Sequence, residues 1–199
     1  MNKIASFLRP LSAVIFAWAR RPMADRAGVS AVEFALLAPI FCLLLAAAAD
    51  FGGVLYVKFG LESAVSAAAN YALLNASNVN STNGGALATN LATIVESERA
   101  ANWANGSIIV NNGPSATINS GAISSGGTAA NANVCYCPTG SGASVTWGGA
   151  VTCGSTCASG GLAGKFISIV ATRVYSPMFS SYGIVKNGAI SSTAVAETQ

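Results

Sequence analysis

The sequence predicts an α+β chain: a long N-terminal transmembrane helix, then a second helix and a small antiparallel sheet of about four strands stapled by disulfides. Three observations carry this reading. Residues 29–51 are mostly apolar and carry no charge except Glu33 and Asp50, with sixteen uncharged residues between them. That run makes roughly 35 Å of helix at about 1.5 Å per residue, enough to cross a bilayer. Residues 86–102 place Leu87, Leu91, Ile94 and Val95 on one helical face. The last third alternates with period two and holds four of the five cysteines, between Cys135 and Cys157.

Composition agrees. Charged residues make up 9% of the 199, far below the roughly 25% of soluble domains. The length suits one membrane segment and one small domain. The chain divides into a basic leader over 1–28, a span with an amphipathic stem over 29–76, and an α+β domain over 77–199. The leader carries five basic residues and one acid, the remainder five basic and six acidic. This charge step keeps the N-terminus cytoplasmic and exports the C-terminal domain, giving a single-pass topology. With its basicity confined to the leader, the chain has no footprint for nucleic acid.

The elements follow in order. The leader's apolar stretch over 11–19 is followed by Arg20 and Arg21 rather than by a small-residue cleavage site, so it is a poor signal-peptide core. Phe34 to Tyr56 reads as the spanning helix, with Pro39 expected to kink it. Residues 60–76 continue as a stem whose Leu61, Ala64, Val65, Ala68, Tyr71, Ala72 and Leu74 share a face. Residues 75–85 read as a loop. Residues 107–110 and 116–119 are strand candidates around an Asn-Asn-Gly-Pro turn. Residues 120–131 read as an exposed loop, and 133–137 and 144–147 as short strands. Residues 165–176 form the strongest strand, ended by Pro177. Residues 189–197 form a final strand antiparallel to it.

There is no histidine, which removes Ser–His–Asp and Cys–His catalysis and histidine metal ligation. Residues 103–196 contain no acid. No catalytic residue, metal or cofactor is expected. Cys135, Cys137, Cys153 and Cys157 suit disulfides in an oxidising compartment better than a zinc site, whose usual spacing is C-x2-C. A Cys135–Cys137 bond would close a strained ring, so cross-pairs between the two clusters are favoured. Cys42, within the span, reads as a packed or lipid-facing thiol. Asp50 is expected at the exposed interface, or against a cation on another subunit. Ala46 to Ala49 with Gly52 and Gly53 are small enough for helices to approach closely. Trp103 and Trp147 read as packing residues.

Glu33 needs the most explanation, because an unpaired carboxylate in a membrane helix is costly. A cut after Gly28 would make Val29 a new N-terminus. Its α-amine, largely cationic at neutral pH, could then pair with Glu33 of its own or a neighbouring chain. A glycine, four residues and a glutamate, with arginines before and an apolar helix after, resembles the class III leader of type IV prepilins. The string RAGVSAVEFALLAPIF, with DFGGVLY downstream, is similar to the TadE-like family of minor pseudopilins, part of the tight-adherence (Flp) pilus system. Cys135-Tyr136-Cys137-Pro138, Cys153, Cys157 and KFISIVATRVYSPMF resemble that family's cysteine pairs and its last strand before a P-x-F turn. Phe34 departs from the tyrosine of Flp-type pilins, and the leader is longer than many.

The resemblance implies a pilin-like, inner-membrane protein with its C-terminal domain periplasmic or extracellular. It implies processing by an aspartic prepilin peptidase after Gly28, and partners among other pilins, pseudopilins and the inner-membrane assembly platform. Gly28 and Val29 flank the cut, and Glu33 is the assembly glutamate. The role is then pilus assembly and surface adherence, with the chain a peptidase substrate rather than an enzyme. Two alternatives remain open: an exported, membrane-anchored thiol–disulfide enzyme using Cys135 and Cys137, and a plain anchored adhesin.

Overall fold

The structure, a computed structural model, describes residues 27–100, 102–140, 143–179 and 183–199. The basic leader up to residue 26 lies outside them. The chain divides into two compact units, Met1–Ala48 and Ala49–Gln199. Helix α1, Ala27–Leu74, contributes to both and stays helical through Pro39.

In the first unit, every large apolar side chain of α1 from Val29 to Leu45 is at least half exposed. The second unit uses the same helix differently. There Val54, Val57, Leu61, Ala64, Ala68 and Ala72 are all buried. Their three- and four-residue spacing makes one stripe, and the stripe belongs to a single core with the second helix and the sheet. The amphipathic stem read over 60–76 is therefore a wall of the domain. Leu74, read on the buried face, is 86% exposed at the helix end.

Asn80 sets the entry to α2. Its Oδ1 accepts from the backbone N–H of Thr82 and Asn83 at 2.9 and 2.8 Å, an Asx turn. Helix α2 spans Gly84–Ser97, ending earlier than the 86–102 read from periodicity. Glu98 begins a turn, and Asn102 takes a left-handed φ of 64°, which helices do not sustain. Leu87, Leu91 and Val95 are buried as expected, against β1, β2 and β3.

Five antiparallel strands follow: β1 Asn105–Val110, β2 Ser115–Asn119, β3 Ala122–Gly126, β4 Phe166–Val174 and β5 Ala189–Glu197. Their order is β3-β2-β1-β4-β5. One face fills the core in cross-strand rows, with Ala116, Ile108, Ile169 and Ala194 in register. Another row runs Val110, Ile167 and Ala196. Such directly opposed pairs are the unit of sheet stability.

Three sequence expectations change. The exposed loop read over 120–131 contains β3. Ser120 and Gly121 both take positive φ, 48° and 78°, the geometry of a two-residue hairpin, and a Thr117–Ser124 hydroxyl pair at 2.7 Å bridges its strands. The strands read at 133–137 and 144–147 are not strands. A 3-10 helix occupies Ala129–Asn133, and Cys135, Tyr136 and Thr146 make only isolated bridges, to Val151, Gly164 and Thr139. Two disulfides hold this glycine-rich segment where a ladder cannot form: Cys135–Cys153 and Cys137–Cys157, with Cα separations of 5.1 and 5.6 Å. Both are cross-pairs between the clusters.

Asn111, in the β1–β2 turn, is fully buried and ties this segment to the sheet. Its Nδ2 donates to the carbonyls of Val134 at 2.7 Å and Ala132 at 3.2 Å. Its Oδ1 accepts from the Phe166 N–H at 3.3 Å. Replacing Asn111 by Ala leaves those carbonyls unpaired, and the expected loss is about 2 kcal/mol, read from denaturant midpoints of the full chain. A change under about 0.5 kcal/mol, the range of an ordinary surface site, would contradict this role.

Candidate functional site

The residues that matter lie along α1 and where the α+β domain packs on its second half. Gly28, Val29 and Glu33 occupy its first turns, all exposed. Glu33 has no ion pair among the described residues. An apolar surface this continuous is a surface for lipid or for another helix. Cys42 is a free, exposed thiol on it. The helix is long and apolar enough to cross a membrane.

Asp50 departs from its expected place. It is buried, at 8% exposure, and the two backbone N–H groups after Pro177 donate to it. Met178 N–H meets Oδ1 and Phe179 N–H meets Oδ2, both at 3.0 Å. The cause lies in helix geometry. Asp50 precedes Val54 by four residues, so it heads the buried stripe and faces protein. β4 ends at Val174 and Pro177 follows it outside the ladder, so the next two amides have no ladder partner and need an acceptor. A carboxylate accepting from two amides is strongly bonded.

The next turns are shaped by close approach. A side chain at Gly53 would collide with the Tyr175 hydroxyl. At Gly60, a Cβ would lie 2.8 Å from the Trp103 ring and 2.9 Å from Arg99 Nε. Gly53, read as a surface for neighbouring helices, thus serves a contact within the chain, while Gly52 faces open space.

Trp103 is the centre of a second cluster. The Arg99 guanidinium carbon stands 4.3 Å from the Tyr56 ring centroid and 5.3 Å from that of Trp103. Arg99 also hydrogen-bonds the Tyr56 hydroxyl. Arg173 stands 5.0 Å from the Trp103 centroid, and its Nη1 donates to the Trp103 carbonyl at 2.6 Å. The expected packing role of Trp103 holds, but the two arginines that flank it were not foreseen. The signal in the sequence was Arg173, a cation on the otherwise apolar face of the best strand. Trp147 packs edge-on against Tyr136, with centroids 6.0 Å apart.

The cysteines do not form a metal cluster: among the described residues, no group of His, Cys, Asp or Glu could hold an ion. Cys135 and Cys157 are buried, and Cys135 and Cys137 belong to different bonds.

The geometry defines a class: an apolar helix of membrane-spanning length whose second half is built into a disulfide-stapled α+β domain. The family model for TadE-like protein matches residues 28–70, and the likeness read from Gly28, Glu33 and the apolar run is shown for that segment. The match opens at Gly28, includes Asp50, Gly53 and Gly60, and points to the tight-adherence pilus system. Comparisons with curated proteins and with solved structures give no match.

Replacing Asp50 by Ala removes the acceptor of two amides, and the expected loss is roughly 3 kcal/mol, since bonds to charged groups exceed neutral ones. Asp50→Asn, which keeps one acceptor oxygen, should lose less. Urea unfolding of the detergent-solubilised full chain reads both, and equal, negligible losses would contradict the assignment.

Proposed function

We propose that this chain is a minor pseudopilin that takes part in assembling a tight-adherence (Flp-type) pilus. The observation that carries the reading is the family match that begins at Gly28, at the glycine where the sequence changes from a basic leader to an apolar helix. In this reading the leader is cytoplasmic and a prepilin peptidase cuts between Gly28 and Val29. The new α-amine then pairs with Glu33 of the same or a neighbouring chain. The pair removes an uncompensated charge from the membrane and sets the stagger between adjacent helices. The exposed apolar side chains from Val29 to Leu45 are the packing surface for other pilins and for the assembly platform. The disulfide-stapled domain is carried on the exported side, where oxidation is permitted.

We assign no catalytic residue, cofactor or metal. The thiol–disulfide alternative is disfavoured by the pairing, since Cys135 and Cys137 are not joined to each other and Cys135 is inaccessible. The anchored-adhesin alternative gives Glu33 no task.

N-terminal sequencing of the membrane-extracted protein should start at Val29. An intact leader, or a start within the exported domain, sinks the processing step. Glu33→Ala should leave export and membrane insertion intact while abolishing pilus assembly, and unimpaired assembly would contradict the role given to Glu33.

A further inference from the structure

We propose that the cluster of Arg99, Trp103 and Arg173 binds an anionic phospholipid headgroup and so seats the exported domain on the membrane its own helix crosses. The proposal rests on the reading of α1 as a membrane span.

The first support is unspent positive charge. Among the described residues, neither guanidinium is ion-paired with a carboxylate. Each arginine is held by one hydrogen bond, Arg99 to the Tyr56 hydroxyl and Arg173 to the Trp103 carbonyl, and by the aromatic rings beside it. A guanidinium has five N–H donors, so most remain available to a phosphate, in geometry already fixed. Concave surface lies on both sides of the indole. One side is lined by Asn102, Asn105, Thr172, Arg173 and Val174. The other has Tyr56, Glu98, Arg99 and Ala100. Glu98 is the carboxylate there, held by the Ser63 hydroxyl at 2.9 Å. The Arg173 side has no acid and is the better seat for an anion.

The second support is position. The apolar run is interrupted at Asp50, and its uncharged continuation stops at Val57, before Lys58. Tyr56, on which Arg99 packs, lies one residue before that end, and Gly60, on which Trp103 packs, lies three residues after it, or about 5 Å along a helix. The polar headgroup layer is roughly 5–8 Å deep on each side of the hydrocarbon. The cluster therefore stands at the headgroup layer, where aromatic residues accumulate and basic residues attract anionic lipid. The side chains around it suit that layer. Phe51, Tyr56, Val174 and Met178 are 41%, 58%, 74% and 79% exposed, and Met178 is held by its amide to Asp50, next to Phe51. A free phosphate shares the headgroup's charge but would have no use for these apolar neighbours.

The test uses the full chain in phosphatidylcholine nanodiscs with phosphatidylglycerol added stepwise. Trp103 emission is read in a Trp18→Phe, Trp147→Phe background. The same signal is taken from the natural chain as a difference against Trp103→Phe, so the result does not hang on replacing the packed Trp147. A saturable blue shift with phosphatidylglycerol is expected, with quenching by a lipid carrying a headgroup nitroxide. Both should be lost in Arg99→Gln, Arg173→Gln with the far-UV spectrum unchanged. The reading is local to Trp103, so anionic lipid gathered by the leader does not register. Emission indifferent to phosphatidylglycerol, or an equal response in the arginine variant, overturns the proposal. An equal shift from millimolar glycerol phosphate in pure phosphatidylcholine discs makes this a soluble-anion site and also overturns it. A chain that fails to enter the discs overturns this proposal and the spanning reading together. A chain that enters without the shift overturns this proposal alone.

Discussion

One helix has to satisfy two environments, and the change occurs at Asp50. Before it, the large apolar side chains of α1 are exposed on every face; after it, Val54, Val57, Leu61, Ala64, Ala68 and Ala72 turn one stripe inward. A carboxylate at that junction would be costly in lipid and equally costly in a dry core. It is tolerated because the chain brings two unpaired amides to it from 128 and 129 residues away. The bond works in both directions: the acid needs donors, and the two amides beyond the end of β4 need an acceptor. The end of β4 is thereby fixed to the helix, and Tyr175 and Trp103 can rest on the side-chain-free surfaces of Gly53 and Gly60.

The rest of the domain is built outward from that helix. The row Ala116, Ile108, Ile169 and Ala194 supplies the facing wall of the core, and Leu87, Leu91 and Val95 of α2 close it. Lys58 reaches from the helix to the Ser191 carbonyl of β5 at 2.9 Å while pairing with Glu62 at 3.1 Å. That contact places a cation against β5, which ends the sheet and whose outer edge would otherwise invite another strand. The segment beyond the core, between β3 and β4, is rich in glycine and buries only a few apolar side chains, Tyr136 and Trp147 the largest. It depends on Asn111 and on two loop closures, each of a length for which a disulfide contributes about 3 kcal/mol.

Long-period and strongly patterned features were legible in the sequence. The long apolar helix, the stem's buried face, the last two strands and the cross-pairing of cysteines all appear where the residues suggested. Residues 189–197 match β5 end to end, because alternation there is strict and one face is buried. What failed was chemistry without periodicity. β3 is Ala-Ile-Ser-Ser-Gly, a composition that reads as loop, and only the Ser-Gly turn before it announced a hairpin. Residues 133–147 have strand-like composition, but their conformation follows from disulfides and turns. Asp50 was misplaced because it was weighed as one acid in a hydrophobic run. Counting it into the stripe that starts four residues later turns it toward protein. Glu33 has no such stripe, and among the described residues it has no ion-pair partner. That asymmetry between the two acids of the helix is the physical basis for giving one a structural task and the other a task in assembly.

The central claim is that α1 from Ala49 onward is built into the α+β domain and that Asp50 closes that contact. Amide hydrogen exchange on the full chain in nanodiscs tests it most directly. The account predicts that the N–H groups of Met178 and Phe179, though they lie outside any strand, exchange as slowly as those of Ile167 and Ile169 in the centre of the sheet. Exchange of those two amides at the rate of an open loop, with β4 still protected, would contradict it.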